Sequence, residues 1–151
     1  HLNSGGYIAA RYAELHPDRV KKLLLLCPAF GLVARWQEFL STDDLHQWKT
    51  RGSHSYDGHQ LHYEFYDDIT KNHPEYPQIL CPTSIVHGKL DCLVPIEASR
   101  TFIQKQIDQQ SIDLTETDDD HYLQKSLPEI LKVLSTFINK NLSEHLLHFA
   151  N

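Results

Sequence analysis

Thr83-Ser84-Ile85-Val86-His87-Gly88-Lys89-Leu90-Asp91-Cys92-Leu93-Val94-Pro95 is the stretch on which the reading of this chain turns. Thr83 to Gly88 is a short apolar run bounded by a glycine, the signature of a buried strand. A loop follows it and carries one carboxylate, Asp91. Pro95 then sits where proline suits the first turn of a helix, expected over residues 95–107. A strand, a loop with an acid and a helix form one unit of an α/β layer. In such layers functional side chains gather at the carboxyl ends of strands.

Working outward, the same rhythm appears on both sides. Downstream, Ser111 to Glu116 alternates as a strand does. Asp118-Asp119-Asp120-His121 follows as a loop and reads as a solvated acidic turn. Ser126-Leu127-Pro128-Glu129 has the S-x-x-E form of a capping box. The helix it opens places Leu127, Ile130, Leu131, Leu134, Phe137 and Ile138 at helical spacing. Upstream, Val20 to Cys27 is a mostly continuous apolar run, as expected of a strand buried on both faces. Before it, Gly6 to about Leu15 reads as a helix with Ile8, Tyr12 and Leu15 on one face, stopped by Pro17.

Residues 29–80 interrupt this alternation. They are rich in aromatics, among them Trp36, Trp48, Tyr63 and Tyr66. Val33 to Trp48 reads as one or two helices, Tyr56-Asp57-Gly58-His59 as a turn within a small hairpin, and Tyr63 to Lys71 as a further helix. The fold class expected is α/β: parallel strands flanked by helices, with an aromatic-rich helical insert acting as a lid.

Composition removes several functions. The chain has 151 residues and a formal charge of -6, with Lys21-Lys22 as its one Lys/Arg doublet. That is no footprint for nucleic acid. No apolar run nears the ~20 residues of a membrane span. Cys27, Cys81 and Cys92 are odd in number and lack C-x-x-C spacing, which fits reduced thiols in the cytoplasm; a Cys81–Cys92 bridge is the alternative. His59/His62 and His145/His148 have a spacing that can place two imidazoles on one helix face, but two ligands make no metal site. No cofactor and no metal are expected.

The chemistry is expected at three loops. The first opens the chain: His1-Leu2-Asn3-Ser4-Gly5-Gly6-Tyr7, running at once into a helix. The other two carry Asp91 and His121. Nucleophile, acid and histidine, in that order along the chain, can activate a hydroxyl. The imidazole takes its proton and the carboxylate fixes the imidazole tautomer. Read with these loops, the chain resembles the carboxyl-terminal half of an α/β-hydrolase, in the small carboxylesterase and acyl-thioesterase branch. H-G-x-x-D-x-x-V-P stands complete from His87 to Pro95. Gly-Gly-Tyr, an Ala-rich helix and His16-Pro17-Asp18-Arg19-Val20 add to the likeness, which extends from Asn3 to about Asn139.

By this resemblance the catalytic residues are Ser4, Asp91 and His121, and Asn3, Gly5 and Gly6 form the nucleophile elbow. Two registers are open at the elbow. One places Asn3 at the nucleophile position and His1 where the family has glycine; an amide cannot replace an alkoxide. The other places Ser4 there and puts Leu2 where a small residue is usual. One oxyanion donor should be the N–H after the nucleophile. The other should come from a loop after an earlier strand, which this sequence does not contain. The resemblance therefore implies one domain over residues 1–151 whose amino-terminal half is missing, with the insert at 29–80. Its partner is a small-molecule acyl ester or thioester, and its hydrolytic activity is expected to be low or absent. A binding protein without catalysis is the alternative. Without strands ahead of the leucine run, that strand should keep an open edge and favour self-association.

Overall fold

The structure is a computed structural model that describes residues 4–56 and 58–148, with the side chains of all of these except 56 and 139–148. Three parallel strands form its centre. β1 (Leu23–Leu26), β4 (Thr83–Gly88) and β5 (Ile112–Thr117) lie in the order β1-β4-β5. Leu25 stands opposite Ile85, and Ile85 opposite Leu114. Their parallel course sends all three carboxyl ends to one side of the sheet, so the loops carrying Asp91 and His121 emerge together.

The centre and the edge of this sheet differ in burial. Thr83, Ile85, Val86, His87 and Gly88 of β4 are buried. In β1 only Leu23 and Leu25 are buried, while Leu24 is half-buried and Leu26 is 41% exposed. The expectation of a leucine strand covered on both faces is thus corrected: among the described residues β1 has a single neighbour strand. It is β4, between two strands, that is covered on both faces.

Helix α1 (Gly5–Leu15) packs on one face of the sheet, and α5 (Glu97–Gln104) contributes Phe102 to the same core. The buried side of α1 is Tyr7, Ala10 and Ala13. The apolar stripe Ile8, Tyr12 and Leu15 points outward, at 61%, 45% and 54% exposure. The reason is close approach: a Cβ on Gly6 would stand 2.7 Å from the Pro28 Cβ. Gly6, Ala10 and Ala13 let the helix sit near the end of β1, and Tyr7 is the large side chain on this inward face, while Ile8, Tyr12 and Leu15 face out. The core between these elements includes Phe30 stacked on Phe102, with ring centroids 3.9 Å apart. On the opposite face, Cys27, Val86 and Leu123 pack with Ile130 and Val133 of α6 (Leu127–His148).

Ser126 immediately precedes α6, as the S-x-x-E pattern requires, but its hydroxyl donates to Asp119 rather than serving the helix alone. Helix α5 is shorter than the span 95–107 expected, because Ile96 is its N-cap and Lys105 its C-cap.

The insert forms its own aromatic cluster. It comprises α2 (Leu32–Phe39), α3 (Thr42–Arg51), the hairpin β2 (Ser53–Tyr56) and β3 (His59–His62), and α4 (Tyr63–Asn72). Ser41 and Asp44 make a reciprocal capping box that starts α3 and splits the expected helical stretch into two. Trp36 meets Trp48 edge to face at 5.8 Å and 82°, over Tyr66. The Trp48 indole N–H donates to the Leu61 carbonyl, tying helix to hairpin. His59 and His62 belong to a strand, where residues three apart face opposite ways. The notion of two imidazoles on one helix face is therefore wrong for this pair. The side chains of His145 and His148 lie outside the described residues.

Candidate active site

Asp91 and His121, far apart in sequence, meet above the carboxyl ends of β4 and β5. His121 Nδ1 stands 2.6 Å from Asp91 Oδ2. A carboxylate can only accept, so Nδ1 carries the hydrogen and donates it, which puts the basic lone pair on Nε2. The other oxygen, Oδ1, accepts from the backbone N–H groups of Leu93 at 2.9 Å and Val94 at 2.8 Å. Asp91 is buried, and its side chain is held at both ends before any ligand arrives.

Local sequence explains the meeting. Gly88 ends β4, and a Cβ there would lie 2.3 Å from the Asp119 carbonyl oxygen and 2.6 Å from that of Asp120. Only glycine lets the 118–120 loop cross over the end of β4. Lys89 N–H donates to Thr117 O at 2.8 Å, and Leu90 N–H to Asp119 O at 3.0 Å, stitching the two loops together. The loop delivering His121 is thereby seated on the loop delivering Asp91.

The acidic loop is not simply solvated, as the sequence suggested. Asp118 is exposed and pairs with Lys89 at 2.6 Å. Asp119, however, is buried. Its carboxylate accepts from Asp120 N–H, from the N–H groups of Lys125 and Ser126, and from the Ser126 hydroxyl. Burial pushes its pKa up, but these donors together outweigh burial and hold the carboxyl below the usual range. Three consecutive aspartates hide this anchor from a sequence reading, because nothing in the run marks the middle one as turned inward.

His87 is fully buried at the end of β4. Its Nε2 lies 2.8 Å from the Val94 carbonyl, an acceptor only, so Nε2–H donates there. Nδ1 accepts from the Ser99 hydroxyl at 2.7 Å. Burial holds this imidazole below its ordinary pKa and hence neutral. It clamps the Leu93–Val94 segment whose N–H groups orient Asp91.

Cys27 is a buried free thiol. It follows β1 with a left-handed φ of 43° and donates its N–H to Val86 O at 3.0 Å. Its Sγ, an Asp91 oxygen and a His121 nitrogen all lie within 4.8 Å of one another. Burial pushes the Cys27 pKa up to about 12, with the Asp91 charge adding to it against an opposing backbone hydrogen bond from Gly88. It stays a thiol at neutral pH, neither a ready nucleophile nor a ready metal ligand. A metal ion held by these three groups would have to strip that thiol and break the 2.6 Å Asp91–His121 bond. All three cysteines are free, with Cys27 and Cys81 buried and Cys92 exposed, so the alternative bridge is not formed.

At the start of the described chain, Ser4 is the half-buried N-cap of α1. Its carbonyl accepts from Ile8 N–H at 2.9 Å. Gly5 and Gly6 are the first residues of the helix. Gly6 rests on Pro28, just past the end of β1, so Ser4 belongs to the same end of the sheet as Asp91 and His121. Asn3 lies outside the described residues.

His121 forms part of the wall of a cavity of about 390 Å³ beneath the insert. Trp36, Phe39 and Trp48 supply aromatic surface, and Leu93 and Val94 of the Asp91 loop close one side. Both tryptophans, Trp36 and Trp48, thus line the same cavity as His121, a placement that the spacing of aromatics along residues 29–80 does not encode.

No protein-family model matches the sequence, and no curated protein resembles it at a significant level. Solved structures do. Mouse α/β-hydrolase domain-containing protein 10 superposes with a TM-score of 0.72 and 20% identity, over 93% of this chain and 59% of that one. The esterase Est1E from Butyrivibrio proteoclasticus gives 0.72 and 20%, over 91% of this chain and 58% of its own. A hydrolase from Agrobacterium vitis S4 gives 0.70 and 20%, over 90% and 57%. The chain thus spans less than three-fifths of the length of each of these structures.

Proposed function

Starting from the α/β-hydrolase fold that this chain has, we propose that Asp91 and His121 are the acid and base of an acyl-ester or acyl-thioester hydrolase site. The observation that carries this reading is the 2.6 Å bond from His121 Nδ1 to Asp91 Oδ2 at the wall of an apolar cavity. The orientation of Asp91 by two backbone N–H groups supports it further.

In the proposed reaction a serine hydroxyl at the elbow attacks the acyl carbon. Its proton passes to His121 Nε2 as the Oγ–C bond forms, and Asp91 stabilises the resulting imidazolium. The same proton then goes to the departing alkoxide or thiolate as the bond from carbon to that group breaks. Water, deprotonated by Nε2, repeats the sequence on the acyl-enzyme and releases the carboxylic acid. The roles need no cofactor. The whole chain acts as one domain, with residues 29–80 as the lid, and works in the cytoplasm.

The nucleophile limits this chain. With Asn3 at the elbow position, turnover on the Asp91–His121 pair is slow or absent; in the other register Ser4, the N-cap of α1, is the candidate nucleophile. The decisive experiment is Asn3→Ser, assayed with short-chain p-nitrophenyl esters and a fluorophosphonate probe. Hydrolysis should rise by about 10² or more, with stoichiometric labelling at position 3, and His121→Ala should remove the gain. Labelling of Ser4 in the unaltered chain would instead assign the other register. If no variant is labelled or turns over ester, the hydrolase reading is wrong and a non-catalytic binding protein remains.

A further inference from the structure

One wall of the cavity carries a charge that catalysis of a plain ester does not use. Leu32, Arg35, Trp36 and Phe39 recur at i, i+3, i+4 and i+7 along α2, so one face of that helix lines the cavity. Arg35 on this face is half-buried. Its Nη1 donates to the Leu93 carbonyl, and its guanidinium lies 5.9 Å from the Phe39 ring centroid. No carboxylate among the described residues pairs with it. No aspartate or glutamate lines the cavity either, and the other titratable groups there are His54, Cys92 and His121.

A guanidinium at the rim of an apolar space is poorly solvated and presents a planar fork suited to a carboxylate. The chain as a whole is acidic, at -6, so a lone cation here is not part of a general basic surface. Resting on the hydrolase reading above, we propose that the cavity takes an ester or thioester whose apolar part, aromatic or aliphatic, carries a carboxylate that pairs with Arg35. The two tryptophans and Phe39 contact the apolar part, and His121 meets the scissile acyl group. Selectivity is then for acidic over neutral acyl substrates of the same shape.

Both tryptophans of the chain line this cavity, so intrinsic fluorescence reports its occupancy. The 151-residue chain is titrated with 3-phenylpropionate and with its neutral isostere 3-phenylpropanamide. The acid should bind about tenfold tighter, and less so as salt is raised. Arg35→Met should lose this preference while still binding the amide, and Arg35→Lys should keep most of it. Unchanged amide binding by Arg35→Met shows that the cavity remains formed. Equal affinity for acid and amide, or a preference that persists in Arg35→Met, overturns the proposal and leaves the acyl cavity standing. Failure of both ligands to bind overturns the proposal and the acyl-cavity reading together.

Discussion

Gly88 and Asp119 are packed so closely that a single added carbon at Gly88 would lie 2.3 Å from the Asp119 carbonyl oxygen. The obstacle is backbone, which cannot swing aside as a side chain can. Gly88→Ala should therefore push the 118–120 loop off β4 and take His121 away from Asp91. A destabilisation of about 1–3 kcal/mol is expected. Loss of the low-field Nδ1–H proton resonance of His121 would report the broken pair. A variant with the resonance and stability of the parent would show that the loop has another route across the strand end.

Asp119 is the second fixture of that loop. Its folded-state pKa is depressed, so the unfolded chain binds its proton more readily. The stability it contributes is present above the ordinary carboxylate pKa and is lost as pH falls through the lower folded value. Asp119→Asn should lower the denaturation temperature at neutral pH and flatten its dependence on pH in the acid range. Thermal denaturation monitored by circular dichroism, run from neutral pH down to about pH 3 around the carboxylate range, measures both effects. Parallel curves for the two proteins would count against this role.

His87 predicts a pH dependence in a different window. Its folded pKa lies below the ordinary 6.5 because burial disfavours the imidazolium. Below that value the unfolded chain takes up a proton that the folded chain refuses. Stability should fall on acidification from about pH 6.5, with a slope of up to about 1.4 kcal/mol per pH unit from this group. Urea denaturation at stepped pH would show it, and His87→Asn should lower stability while removing that part of the slope. A slope unchanged in His87→Asn would mean that other histidines produce it.

Thr117 supplies a test in the stabilising direction. Its hydroxyl oxygen is buried at the end of β5 and has no hydrogen-bond partner among the described residues. Thr117→Val keeps the shape and removes the unsatisfied group, and should stabilise the fold by up to about 1 kcal/mol. A loss of stability would indicate a bonded water at that hydroxyl.

How far the sequence reaches can be judged at particular residues. The strand ending at Gly88 and the loop carrying Asp91 were legible because a short apolar run closes on a glycine and Pro95 marks the start of the next helix. The β4–α5–β5 unit was legible because burial on both faces and helical spacing leave different periods. The inward face of α1 was not, since hydrophobicity favours Ile8 and Tyr12 while the close approach of Gly6 to Pro28 favours alanine. That is a matter of distance between elements, which periodicity does not encode. Asp119, Arg35 and the contact of Cys27 with Asp91 were hidden for the same reason. Each owes its role to a neighbour remote in sequence.

The outward faces lead to the last prediction. β1 has one strand neighbour among the described residues, and Leu26 at its end is 41% exposed. Beside it α1 presents Ile8, Tyr12 and Leu15, and α6 presents Leu127, Leu131 and Ile138, each at least 45% exposed. An unpaired strand edge flanked by apolar helix faces is a template for pairing with another chain. The 151-residue chain should therefore self-associate, more strongly as concentration rises. Sedimentation velocity over a concentration series should show species larger than the monomer. Leu26→Lys, which sets a charge at the edge, should shift the distribution toward monomer without disturbing the Asp91–His121 pair. A chain that sediments as a monomer at every concentration would show that these faces are covered in some other way.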